Sequence, residues 1–162
     1  NILVTGAAGM IGANLINDYL TKDKKNKIFA IDSLILGKKE HLNKNNQLKF
    51  FKKDLSKKFN SIKISKKIIF NEIWLLSANS DILKGSNNLQ IDLNDTFLSV
   101  FNTLKFFSNN INKKTKIIFS SSSAIYGQTN IDLTEKNLNF KPESNYGTMK
   151  LCCEIFIKFF FL

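Results

Sequence analysis

Arginine is absent from this chain. All 24 basic residues are lysine, and against 13 acidic residues they leave a formal charge of +11 over 162 residues. Such an excess ordinarily points to a polyanion. The guanidinium fork that reads bases and grips phosphates in pairs is missing, however, and the lysines are scattered along the sequence. No dedicated nucleic-acid surface is expected. Cysteine occurs only as the adjacent pair Cys152 and Cys153, and histidine only as His41. Neighbouring thiols do not build a disulfide framework, and without spaced Cys or His pairs no metal site is expected; a reducing, cytoplasmic setting is. There is one proline, no Gly/Ser-rich linker and no internal repeat. A single domain is therefore expected. Long apolar runs are absent too: the Phe-rich end, Ile155 to Leu162, falls far short of the ~20 residues of a bilayer span and is interrupted by Lys158. No membrane partner is expected.

What is present begins at once. Ile2, Leu3 and Val4 read as a buried strand, which breaks into Gly6, Gly9 and Gly12 before the apolar positions Ile11, Leu15, Ile16, Tyr19 and Leu20 recur at helical spacing over residues 11 to 22. A strand, a glycine turn and a helix make a phosphate site. Gly6 permits the tight turn, Gly9 a close approach of a pyrophosphate, and Gly12 close packing of helix on strand. Free N–H groups at the helix start face the anion. An acid about twenty residues on, Asp32, follows a second strand, Ile28 to Ile31. That spacing predicts a carboxylate on the adenosine ribose of a dinucleotide, favouring NAD over NADP.

Further strands are predicted at Leu48 to Phe51, Ile73 to Leu76 and Ile117 to Phe119. Asp54, after the third, is either an acceptor for the adenine amino group or a local turn or helix cap. The small residues Ser77 and Ala78 after the fourth leave room for a ligand at the carboxyl ends of a parallel sheet. Leu93, Phe97, Val100, Phe101, Leu104 and Phe107 predict one helix from about Asp92 to Ser108, whose phenylalanines serve the core or a subunit contact. A last helix is expected after Pro142-Glu143-Ser144, capped by Ser144 or Asn145. On it Tyr146 and Lys150 stand four apart, hence on one face. A tyrosine serves as a base at neutral pH only if its ordinary pKa near 10 is lowered by about two to three units. A neighbouring ammonium pushes that way, and a serine hydroxyl from a strand end would complete a proton path to a substrate alcohol.

In combination, Thr5-Gly6-x-x-Gly9-x-x-Gly12, Asp32, Asp54-Leu55, the run from Ser121 to Gly127, and Tyr146-Gly147-x-x-Lys150 resemble the extended short-chain dehydrogenase/reductases, in particular the NAD-dependent nucleotide-sugar epimerase/dehydratase group of the UDP-glucose 4-epimerase kind. The resemblance implies an α/β fold with a Rossmann-type doubly wound parallel sheet. It implies Tyr146 as general base, Lys150 as the group that lowers its pKa and holds the ribose, and Ser122 on the substrate hydroxyl. Cofactor contacts are implied at Gly6, Ala8, Gly9, Met10, Ile11, Gly12, Asp32, Ser33, Asp54, Leu55, Leu76, Ser77, Ala78, Tyr146 and Lys150, and substrate contacts at Asn79, Ser122, Ser123 and Tyr146. Leu75-Leu76-Ser77-Ala78 stands where members usually show His-Leu-Ala-Ala. Ser123 and Ala124 stand where sugar dehydratases carry an acidic pair, so epimerase chemistry is expected over dehydratase chemistry, with a keto-sugar reductase as a related possibility. Members run to about twice this length. The chain is accordingly expected to be an NAD-binding domain, incomplete, whose last strands and carboxyl-terminal substrate lobe are absent; a non-catalytic nucleotide-binding remnant is the alternative. The resemblance further implies a nucleotide-sugar substrate and a homodimer through the helices near Phe97 and Phe156.

Overall fold

The computed structural model describes residues 1–58, 62–130, 132–134 and 136–160. Phe161 and Leu162, at the end of the Phe-rich segment, lie outside them.

Five parallel strands form the sheet: β1 (Ile2–Thr5), β2 (Ile28–Asp32), β3 (Leu48–Lys52), β4 (Glu72–Leu75) and β5 (Lys116–Phe119). Their order is β3-β2-β1-β4-β5. The chain thus steps outward from β1 to β3, then returns to place β4 on the other side of β1. Where that direction reverses, between β1 and β4, a parallel sheet opens a crevice at the carboxyl ends of its strands. The register is continuous, with Thr5 beside both Ile31 and Leu75.

Both faces of the central strands are covered, which is why they read as apolar runs rather than alternating ones. Ile2, Val4, Ile28 and Ala30 pack on one face with Ala13, Ile16 and Leu20 of α1 (Met10–Lys22). Leu3, Phe29, Ile31, Ile73 and Leu75 pack on the other with Val100, Leu104, Phe107 and Cys153. Helices lie on both sides, as the doubly wound expectation requires. The second face is the more aromatic: Phe70 stands edge-on to Phe29 at 5.5 Å and to Phe107 at 5.6 Å between ring centroids.

The strands match the predicted ones within a residue at each end, and Ser144 caps α5 (Asn145–Phe160) through its hydroxyl, which accepts the Gly147 N–H at 3.0 Å. Two stretches differ. A short helix α2 (Ile82–Asn87), capped by the Asp81 carboxylate on the Lys84 N–H, was not foreseen in the polar segment after β4. The single helix expected from Asp92 to Ser108 is instead α3 (Leu89–Asp92), a π-helical turn (Leu93–Leu98) and α4 (Ser99–Phe106). Side chains intrude on its ladder. The Ser99 hydroxyl donates to the Thr96 carbonyl at 3.0 Å, and the Thr96 hydroxyl accepts the Asn79 N–H from across the crevice. Such widened turns recur at functional sites.

Phe70 and Phe107 are the largest fully buried side chains among the described residues, and Phe70 belongs to the core that joins the sheet to α4. Phe70→Ala is expected to cost about 3–5 kcal/mol, read as a lowered midpoint in urea unfolding; a shift corresponding to under about 1 kcal/mol would mean that the site collapses without a cavity.

Candidate active site

At the β1 exit the backbone makes close approaches. Gly6 adopts φ +64, and a Cβ there would stand 2.9 Å from the Leu76 carbonyl carbon and the Ser77 nitrogen. Only glycine fits that turn without strain. A Cβ on Gly12 would collide with the Gly6 carbonyl oxygen, so α1 seats directly on the loop. The Thr5 hydroxyl locks the arrangement, donating to Trp74 O at 3.3 Å and accepting the N–H groups of Leu76 and Ser77 at 3.2 and 3.4 Å. No side chain caps α1 at Gly9 and no acid stands in its first turn. The first N–H groups of the helix, those of Met10 and Ile11 among them, therefore have no helical partner and carry the positive end of the helix dipole.

These elements wall a cavity of about 340 Å³ at the carboxyl edge of the sheet, within the range of small-molecule sites. Gly6, Gly9, Met10, Ile11, Gly12, Asp32, Ser33, Asp54, Leu55, Leu76, Ser77, Ala78 and Asn79 all line it. Asp32 is buried, and its two oxygens accept the N–H groups of Ala8 at 2.9 Å and Leu34 at 2.8 Å. Ala8 itself is spent inside the loop: its N–H goes to Asp32 and its carbonyl accepts Lys38 N–H. Asn79 lines the cavity, but its amide is engaged within the chain, donating to Asp81 O and to the buried Asp92 carboxylate and accepting the Asp81 N–H. Asp54 serves both sequence readings. It faces the cavity, and it closes a turn by accepting the Ser56 N–H and hydroxyl at 3.0 and 2.6 Å. Burial alone would raise its pKa, yet the Ser56 bonds and the Lys57 ammonium hold it below the ordinary value.

Ser122, Tyr146 and Lys150 gather beside the cavity, at the exit of β5. The Ser122 hydroxyl hydrogen-bonds with the Tyr146 phenol and accepts the Ala124 N–H at 3.2 Å. Lys150 is 2% exposed. Its Nζ donates to Ser120 O at 2.6 Å and lies 4.7 Å from the Phe119 ring centroid and 5.5 Å from that of Tyr146. Ser120 in turn donates its N–H and hydroxyl to Leu75 O at 3.3 Å, one residue before the cavity wall at Leu76. Gly147 lets α5 approach, since a Cβ there would strike the Ala124 carbonyl oxygen. The glycine loop and the Tyr146–Lys150 pair thus lie at the same edge of the sheet.

Comparison with known proteins fits this geometry. The sequence profile of the GDP-mannose 4,6 dehydratase family matches residues 3–160. The chain belongs to that family, among the NAD-dependent epimerases and dehydratases. It is 26% identical to a putative UDP-glucose 4-epimerase of Methanocaldococcus jannaschii, over 98% of this chain and 50% of the relative. A solved UDP-N-acetylglucosamine 4-epimerase of Methanobrevibacter ruminantium, in complex with UDP-N-acetylmuramic acid, superposes with TM-score 0.78 at 35% identity, over 99% of this chain and 50% of the other. The UDP-glucose 4-epimerase of Thermus thermophilus in complex with NAD shares the fold, with TM-score 0.78 at 22% identity, over 98% of this chain and 50% of the other. The chain spans about half the length of these relatives.

Two features of this candidate site depart from the sequence expectation. The Tyr146 phenol stands above its ordinary pKa, not below: burial raises it, the Ser122 hydrogen bond opposes, and the Asp92 charge raises it further. Lys150 is itself desolvated, which pushes its pKa down to about 8, and its proton is held by a backbone carbonyl. Sequence reasoning also missed Ile35, Leu36, Gly37, Lys53, Asp95 and Ser99 on the cavity wall. The exposed apolar pair Ile35–Leu36 within a polar loop was the available signal for the first of these. Asp95 is brought in by the π turn, for which spacing gave no sign. Its carboxyl stands above the ordinary value because of partial burial, then the charges of Asp54 and Asp92. Among the described residues no group of acids, histidines and cysteines could hold a metal ion, and no helix is long and apolar enough to cross a membrane.

A lysine lowered from 10.5 to about 8 binds fewer protons folded than unfolded between those values, so its burial penalty is full below pH 8 and relieved as the pH rises toward 10.5. The unfolding free energy of the native chain is expected to gain on that of Lys150→Met across this window, by on the order of 3 kcal/mol. Parallel denaturation curves of the two proteins from pH 7 to 10.5 check this; a constant difference would mean that the lysine titrates normally.

Proposed function

We propose that this chain is the NAD-binding and proton-transfer half of a nucleotide-sugar 4-epimerase. The observation that carries the reading is the convergence of two sites at one sheet edge: a glycine cradle with an uncapped helix, and a Ser122–Tyr146–Lys150 constellation whose lysine is buried, reached through Leu75 and Ser120. The residues present suit the dinucleotide. A Cβ at Gly6 or Gly12 would strike the backbone that shapes the loop, the helix N-terminus favours a diphosphate, and Asp32 suits a ribose diol while repelling a 2′-phosphate.

Bound NAD would supply the hydride acceptor for oxidation of the sugar carbinol. In the chain's own part, Ser122 holds the substrate hydroxyl and Tyr146 takes its proton. Burial holds the Tyr146 phenol protonated in the chain alone, and a positive charge brought beside it by the bound cofactor would draw its pKa down. Lys150, its carbon stem buried and its ammonium fixed on Ser120 O, holds a cation beside the phenol and offers its remaining N–H groups to ribose hydroxyls. Ser123 and Ala124 supply no ionisable group for eliminating water, which favours epimerisation over dehydration despite the dehydratase name of the matching family. The nucleotide sugar bound by the relatives is the substrate class proposed here, and the lobe that grips it is provided outside these residues.

The same reading assigns a subunit contact to the aromatic face that the π turn shares with α5. Phe97 and Phe156 pack on each other at 5.9 Å between centroids, beside Ile155 and Phe159, which are exposed on α5. A homodimer would cover them. With both cysteines free, a reducing cytoplasm is the setting this reading takes.

Calorimetric titration of the chain should show binding of NAD and weaker binding of NADP. In an enzyme that joins this chain to a substrate lobe, Tyr146→Phe is expected to lower turnover by about 10²–10⁴-fold with NAD binding retained. Normal turnover in that variant would remove Tyr146 from the role of base.

A further inference from the structure

Three carboxylates face the cavity, and two of them have partners within the chain. Asp32 accepts two backbone N–H groups, and Asp54 accepts Ser56 twice and lies 3.4 Å from the Lys57 ammonium. Asp95 makes no hydrogen bond or ion pair among the described residues, and Lys53 on the same wall is in no ion pair. The π turn carries Asp95 to the wall shared with the β3 exit. That juxtaposition is braced: Asn102 Nδ2 donates to Leu55 O at 2.9 Å and Ser56 O at 3.3 Å, tying the loop that bears Asp54 to α4. β3 is the strand farthest from β5, so this is the end of the site remote from Tyr146 and Lys150.

Two carboxylates facing one space repel each other unless something that donates to both lies between them. An exocyclic amino group on a flat base does so, because it presents two N–H bonds from one nitrogen. A ring carbonyl in the same place would meet two carboxylates with no proton to offer. Asp54 alone could take one N–H; the second needs Asp95.

We propose that Asp95 is a specificity-determining residue for the base of the bound dinucleotide, accepting with Asp54 the two N–H bonds of the adenine 6-amino group. This rests on the NAD reading above and goes beyond it, since it selects among dinucleotides that share the diphosphate, both riboses and the nicotinamide.

The test compares NAD with nicotinamide hypoxanthine dinucleotide, which has a carbonyl where adenine has its amino group, by calorimetric titration of the native chain and of Asp95→Ala. Asp95 is exposed and unpaired, so the variant retains the fold, checked by an unchanged unfolding midpoint. The native chain is expected to prefer NAD by about tenfold or more. In Asp95→Ala the affinity for NAD falls, that for the hypoxanthine analogue stays or rises, and the preference drops several-fold. NAD binding with the same preference in native and Asp95→Ala overturns the assignment and leaves the cofactor reading intact. Failure of the native chain to bind either dinucleotide overturns the cofactor reading, and this one with it.

Discussion

Everything at the carboxyl edge depends on two backbones meeting without side chains between them. Gly6 turns against Leu76 and Ser77 at a distance that excludes a Cβ, and the Thr5 hydroxyl takes the N–H groups that β4 would otherwise leave unpaired as it ends. Buried amides without partners cost about 1–3 kcal/mol each. That one hydroxyl therefore joins the strands on which the crevice opens. The floor of the cavity, the seating of α1 and the path from Leu75 through Ser120 to Lys150 all follow from this junction.

The second constraint is electrostatic. The uncapped start of α1 is positive, while Asp32, Asp54 and Asp95 line the same cavity with negative charge. A ligand that is an anion in its middle and a donor at its sugar and base meets both demands. Lys150 complements this at the far end. Its burial lowers its pKa, a cost to stability of the kind that concentrates at functional sites.

Much of this is legible in the sequence. Local rules carry the glycine spacing, the strand–turn–helix order and the position of Asp32, because each is set by residues within a few positions of one another. The Tyr146–Lys150 pair was equally legible, since four residues on a helix always share a face. The capping Ser144 and the buried β-branched strands follow for the same reason. The π turn was not legible. It arises from Thr96 and Ser99 hydroxyls meeting carbonyls and a β4-exit amide some seventeen residues away, and helical periodicity in Phe97, Val100 and Leu104 masks a one-residue slip in the ladder. The approach of Asp95 to the cavity depends on that turn and is hidden with it.

The sequence by itself determined the class of fold, the glycine turn after β1 and the placement of Tyr146 and Lys150 on one helix face, because these depend on short-range periodicity and on glycine where no Cβ fits. Tertiary structure alone decided which of those residues are free to act. It committed Ala8 and Asn79 to internal hydrogen bonds, raised the phenol of Tyr146 by burial, and left Asp95 on the cavity wall with no hydrogen bond or ion pair among the described residues. Each of those outcomes depends on what a distant segment places against the group, and burial and partnership are properties of the packed chain rather than of any stretch of it.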